Sequence, residues 1–303
     1  MNKHFRMPAA AVLMLLSFVW LPASAEQVDE VREARPDAVI EFLGVTGEIT
    51  IVGREGEELA LRGKLGDDVD RVRIDGDPSS WRIEIEMKKS EGSNWNWSAG
   101  PGTVLELTVP PGADLTSRAV SADVSIRGVR GPRIDARTVS GDLALVESSP
   151  SRLIAETVSG DIEIDGGGLE SSQLKSVSGD IEAIGLVGRV RAESVSGDLE
   201  IDAIDVSEFN AETVSGDLET TLRPGARATI DVQSHSGSID LAMPAGTPVD
   251  LDAETFSGDL ASRFTADTEQ FREDGMTVRH GDASVRVRAQ TFSGEFVLLE
   301  SDG

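Results

Sequence analysis

Five aspartates recur at steps of 18 or 19 residues, Asp142, Asp161, Asp180, Asp198 and Asp217, each directly after a Ser-Gly pair. Glu163, Glu182, Glu200 and Glu219 repeat two residues further on. Carboxylates are hard oxygen donors, so stacked columns of them could hold calcium, which accepts flexible coordination. Two such charges about 5 Å apart repel by roughly 0.9 kcal/mol in water, and a column must offset this with turn hydrogen bonds, nearby arginine or a bound cation. The Gly-Gly-x-Gly-x-Asp nonapeptide of calcium-binding β-rolls is absent. The expectation is therefore weak, low-specificity calcium binding at the aspartate ladder, with no resident cofactor and no dedicated metal centre. Each aspartate also has a plainer use, closing a turn by accepting a backbone N–H.

Other chemistry is sparse. Past residue 25 the only histidines are His235 and His280. His235 stands in a slot filled elsewhere by Val or Phe, which predicts a packed or edge residue. His280 stands in a His-Gly-Asp turn with no Cys or second His to complete a metal set. The repeated serines have no histidine partner nearby in sequence, and no P-loop or dinucleotide motif is present. Aromatic residues make up 4% and Tyr is absent, so Trp95 and Trp97 are the pair best suited to stacking on a sugar. No catalytic residues are expected.

The element that carries these columns is a repeat. Ser140, Ser159, Ser178, Ser196, Ser215, Ser236, Ser257 and Ser293 are each followed by Gly, at steps of 19, 19, 18, 19, 21, 21 and 36 residues; Ser121-Ala122 lies one step upstream. A period near 20 residues means stacked copies of one small unit. Three residues after each Ser the side chain is apolar, from Val124 and Leu143 to Leu260 and Phe296. Six before it stand Leu115, Ile134, Leu153 and Val190, and four before it is usually Ala, with polar residues between. This alternation on both sides of the Ser predicts two short strands joined by a turn. A link this short holds no crossover helix. The predicted fold is all-β, a single-stranded parallel β-helix with coils of about 19 residues, rising ~4.8 Å per coil.

Gly in the turn is expected to take a positive φ. Gly44 to Ile51 reads as a degenerate copy with Thr46 in the Ser slot. The 75 residues from Thr46 to Ser121 predict about four further coils and a stack beginning near residue 38. The expected organisation is a signal peptide over 1–25, irregular coils and a cap over 26–115, and regular coils over 116–303 with an excursion at 264–284. Residues 90–102, with their two tryptophans, read as an exposed loop.

Lys3, His4 and Arg6, the apolar run from Ala9 to Leu21 and the small residues Ala23-Ser24-Ala25 form a secretory signal with cleavage after Ala25. No other apolar stretch approaches the ~20 residues of a membrane-spanning helix, so no integral membrane segment is expected after cleavage. The absence of Cys excludes disulfides, thiol catalysis and a lipid-modified cysteine. With 28 Lys+Arg against 54 Asp+Glu the net charge is −26, which repels nucleic acid and anionic lipid headgroups.

The recurring [Thr/Ser]-[Val/Phe]-Ser-Gly-Asp-[Leu/Ile]-Glu, preceded by Val104-Leu-Glu-Leu-Thr-Val-Pro-Pro-Gly-Ala-Asp-Leu115, resembles the bacterial adhesin-type β-strand-repeat family, also called toastrack domains. The resemblance implies a right-handed β-helix in an exported protein of the periplasm, envelope or cell surface, and supplies no catalytic residues. The expected function is a non-enzymatic, adhesin-like or scaffold protein that presents an anionic face to an envelope or cell-surface protein or glycan. The alternative is a β-helix enzyme acting on polysaccharide, for which coils this short leave little loop to build a cleft.

Overall fold

The computed structural model describes residues 26–88, 102–168 and 170–301. The expected signal peptide with its cleavage point at Ala25, and the loop tryptophans Trp95 and Trp97, lie outside the described residues.

All 24 strands join one sheet, and no helix occurs among the described residues. The arrangement is β-solenoid-like. Each repeat contributes one strand before its Ser and one after, and like positions of successive repeats pair in parallel. On the first wall Ile134 lies beside Leu115 and Leu153, and Ala136 beside Ser117 and Ala155. On the second, Leu143 lies beside Val124 and Ile162. Over residues 181–236 a single strand carries a whole rung: Ile181–Ser196, Leu199–Ser215 and Leu218–Ser236. The first bends through register shifts between residues 184 and 189, where Gly185 and Gly188 take φ of 79° and 76°, and the second through shifts between 204 and 208.

Period-2 alternation sends one set of side chains from each wall inward, and they form the core as columns. Leu115, Ile134, Leu153, Val190, Phe209 and Ile230 are all buried, as are Val124, Leu143, Ile162, Ile181, Leu199 and Leu218 opposite them. Each such side chain contributes about 1.5–3 kcal/mol. The Thr or Ser two before each turn is buried too, from Thr138 and Thr157 to Thr213 and Thr291.

The two ends depart from the expected order. Thr46 pairs directly with Ser121, so the 75-residue step holds no stack of four coils between them. Instead the rung 39–53 lies between the rung 114–127 on one side and strands Ser80–Met87 and Val104–Val109 on the other. Parallel ladder bonds do not read side chains, so the chain can leave one rung and return to either face of it. Antiparallel strands Val69–Asp77, Glu58–Lys64 and Gln27–Glu33 then close this end. The other end is interleaved in the same way. The rung 285–301 inserts between 229–244 and 249–262, and a hairpin of Thr268–Phe271 and Gly275–Arg279 covers the outermost strand.

Candidate functional surfaces

The Ser-Gly-Asp turn is an edge shared by every rung. Its serines form one ladder from Ser121 through Ser140, Ser159 and Ser178 to Ser196, continued by Ser215, Ser236, Ser293 and Ser257. The glycines beside them are needed for room between rungs. A Cβ on Gly160, Gly179, Gly197 or Gly216 would lie 2.0–2.2 Å from the carbonyl oxygen of the Gly one rung before. The expected positive φ occurs at Gly141, Gly160, Gly237 and Gly294 but not at Gly179, Gly197 or Gly216, so close approach is the common requirement.

The aspartate ladder is hydrogen-bonded rung to rung. Asp123 accepts the N–H of Asp142 at 3.0 Å, Asp142 that of Asp161 at 2.9 Å, and Asp161 that of Asp180 at 2.9 Å. Asp180, Asp198 and Asp217 accept from Asp198, Asp217 and Ser238 at 2.7–2.8 Å. One oxygen of each carboxylate is thus engaged in joining neighbouring rungs. Among the described residues no group of three or more His, Cys, Asp or Glu is arranged to hold a metal ion.

This geometry separates charge from hydrogen bonding. Asp180→Asn with Asp198→Asn keeps both acceptors and removes repulsion, so the melting temperature should hold or rise slightly. Asp180→Ala with Asp198→Ala leaves two N–H groups without their acceptor and should lower stability by about 1–2 kcal/mol. Thermal unfolding of both double mutants, with and without millimolar calcium against magnesium, distinguishes the roles. A large calcium-only gain lost in the Asn mutant would mean a cation site.

Next to this ladder one outward column of the second wall is acidic and in register over five rungs: Glu163, Glu182, Glu200, Glu219 and Asp240 are consecutive partners. No Lys, Arg or His among the described residues pairs with any of them. Part of the first wall is ion-paired instead. Asp135, 1% exposed, is held by Arg133 and by Arg137 at 2.7 Å, and Arg137 also meets Glu156 at 2.8 Å. The hydrogen bond to Asp135 raises the Arg137 pKa further above its ordinary value. Burial pushes the Glu193 carboxyl up, but Lys175 and Arg191 outweigh it and leave it below its ordinary value.

The residue just before each Ser forms a third column that the sequence reading did not single out. Val120, Val139, Val158, Val177, Val195, Val214, Phe292 and Phe256 are exposed, with His235 between Val214 and Phe292. The signal was present: an apolar residue directly after a buried Thr or Ser must face outward. At the 257 end the column becomes aromatic. His235 stacks on Phe292 with centroids 4.8 Å apart, and Phe292 on Phe256 at 4.7 Å. The rings border a groove of about 770 Å³, closed on one side by Arg272 and Asp274 of the hairpin.

Acid holds that hairpin in place. Glu300 accepts the Thr265 N–H at 2.7 Å, and Asp267 accepts from Gly281 at 2.8 Å with His280 3.5 Å away. The Thr265 bonds hold the Glu300 carboxyl below its usual range. A carboxylate with a depressed folded pKa contributes stability above its unfolded value and loses it as pH falls through the folded one. Amide protection over 265–279 should therefore fall below about pH 4 before the central rungs open, as hydrogen exchange against pH would report. Glu300→Gln should flatten that dependence.

No curated protein matches the chain. Among solved structures, a "putative adhesin" from Bacteroides fragilis NCTC 9343 aligns at 13% identity and TM-score 0.46, covering 91% of this chain and 97% of that one. A "putative adhesin" from Parabacteroides distasonis ATCC 8503 gives 9%, 0.46, 91% and 98%. A "putative lipid binding protein" from the same organism gives 14%, 0.41, 88% and 96%. The family model described as Toastrack DUF4097 matches residues 70–245 and 201–298, most of the repeats described above. The chain belongs to the toastrack family.

Proposed function

We propose that this chain is an exported, non-enzymatic, adhesin-like protein whose second wall is an anionic contact face for an envelope or cell-surface partner. In this reading the rungs form a right-handed, single-stranded parallel β-helix with coils of about 19 residues. A right-handed crossover is the rule for parallel strands linked within one sheet. Export rests on the signal pattern of residues 1–25, which places the protein in the periplasm or at the cell surface. The carrying observation is the run of five consecutive in-register acids, Glu163 to Asp240, none of them ion-paired among the described residues, whereas Asp135, Glu156 and Glu193 on the first wall each meet an Arg or Lys. Unpaired like charges cost stability, so a face that keeps them is best explained by a partner with complementary charge.

The test is capture of envelope components by the protein cleaved after Ala25, beside a variant with Glu163, Glu182, Glu200 and Glu219 changed to Gln. Capture that falls in the variant and with rising salt supports the anionic face. Capture indifferent to both rejects it. The same preparation tested on polysaccharides decides the enzymatic alternative, since turnover abolished by one point mutation would replace this reading.

A further inference from the structure

A different part of the surface, independent of the acidic wall, has the chemistry of a ligand site. It is the groove along the aromatic end of the exposed column. Two ladders run side by side there with one member of each per rung. The first is His235, Phe292 and Phe256. The second lies two residues upstream: Glu212 is the register partner of Gln233, Gln233 of Gln290, and Gln290 of Glu254. Gln290 donates to Glu254 at 3.1 Å, which orients its amide. Between the two ladders lie Thr213, Ser234, Thr255 and Thr291, which alternation turns inward and buries.

The ligand classes can be separated by what this groove offers. Glu212, Glu254 and Asp274 outnumber Arg272, so the groove repels phosphates and anionic headgroups. An aliphatic chain would desolvate the amides and carboxylates without giving them partners. An extended peptide has no ladder to join, because the strands beneath are already paired to their neighbours on both sides. The repeating pair of ladders, amides beside stacked rings, suits a ligand that is dense in hydroxyl donors and apolar on one face, repeating along its length. Phe256, 77% exposed, has room for a C–H face to stack, while ring edges carry partial positive charge that suits hydroxyl oxygens. The amides of Gln233 and Gln290 both donate and accept, as vicinal hydroxyls require.

We propose that this groove binds a neutral linear oligosaccharide, laid along the stack with successive sugars against His235, Phe292 and Phe256 and their hydroxyls on the Gln233–Gln290 column. The test is an array of neutral glucan, mannan, galactan and chitin oligosaccharides, followed by titration calorimetry with the best binder. Saturable binding is expected, weakened about tenfold by Phe256→Ala and by Phe292→Ala, and also weakened by Gln290→Ala. Val158→Ala, elsewhere on the same column, and the four-Gln variant of the acidic wall should leave binding unchanged. Equal melting temperatures would show that the variants fold. Absence of binding to every oligosaccharide, or binding indifferent to the three groove variants, would overturn the proposal. So would binding of anionic vesicles or of a basic peptide that Phe256→Ala abolishes while no sugar binds.

Discussion

Leu199→Asp is expected to cost about 4 kcal/mol or more, because it removes a buried side chain and puts a carboxyl where no partner waits. Leu199 is 1% exposed and lies between Ile181 and Leu218 in its column. In a quasi-one-dimensional stack the loss falls first on the rungs that touch it. Hydrogen exchange should show protection lost across residues 181–222 while rungs near 40 and 290 keep theirs. Uniform loss over the whole chain would mean that the rungs do not behave as nearest-neighbour units.

The second large effect is expected at Gly179. An added methyl would stand 2.0 Å from the Gly160 carbonyl oxygen and 2.6 Å from its carbonyl carbon, ladder-bonded backbone that cannot easily yield. Gly179→Ala should therefore cost about 1–3 kcal/mol, the range for overfilling a packed site. Gly167→Ala is the matched control, since its nearest foreign atom is 3.9 Å away and its φ is not positive. It should change stability by less than about 0.5 kcal/mol. Equal melting temperatures for the two variants would refute the close-approach account of the repeated glycine.

Much of this was legible before any coordinates. The apolar positions three after and six before each Ser gave the core columns, because alternation fixes which side chains share a face. Two things were not legible for a physical reason. The order of rungs at the ends depends on backbone ladder bonds, which any extended segment can make, so no periodicity announces that Thr46 sits against Ser121 or Ser293 against Ser257. The reason for the turn glycine depends on the spacing between rungs, which a single repeat does not contain. The exposed Val and Phe column was written in the motif, and only its outward direction was overlooked. The aspartates were correctly placed in a column; their rung-to-rung bonds needed the geometry of two rungs at once.

The interleaving of rung 285–301 between 229–244 and 249–262 bears on the order of events during synthesis. Residues 249–262 leave the ribosome first and meet an open edge at 229–244 that offers them the same parallel bonds they later make elsewhere. Occupying it would shut out 285–301, so that early pairing has to be delayed or undone. The opposite end carries no such conflict, since 39–53 is made first and later segments settle on its two free faces. Two ends with matching architecture are therefore expected to differ in kinetics, with the slow step of maturation at the end made last.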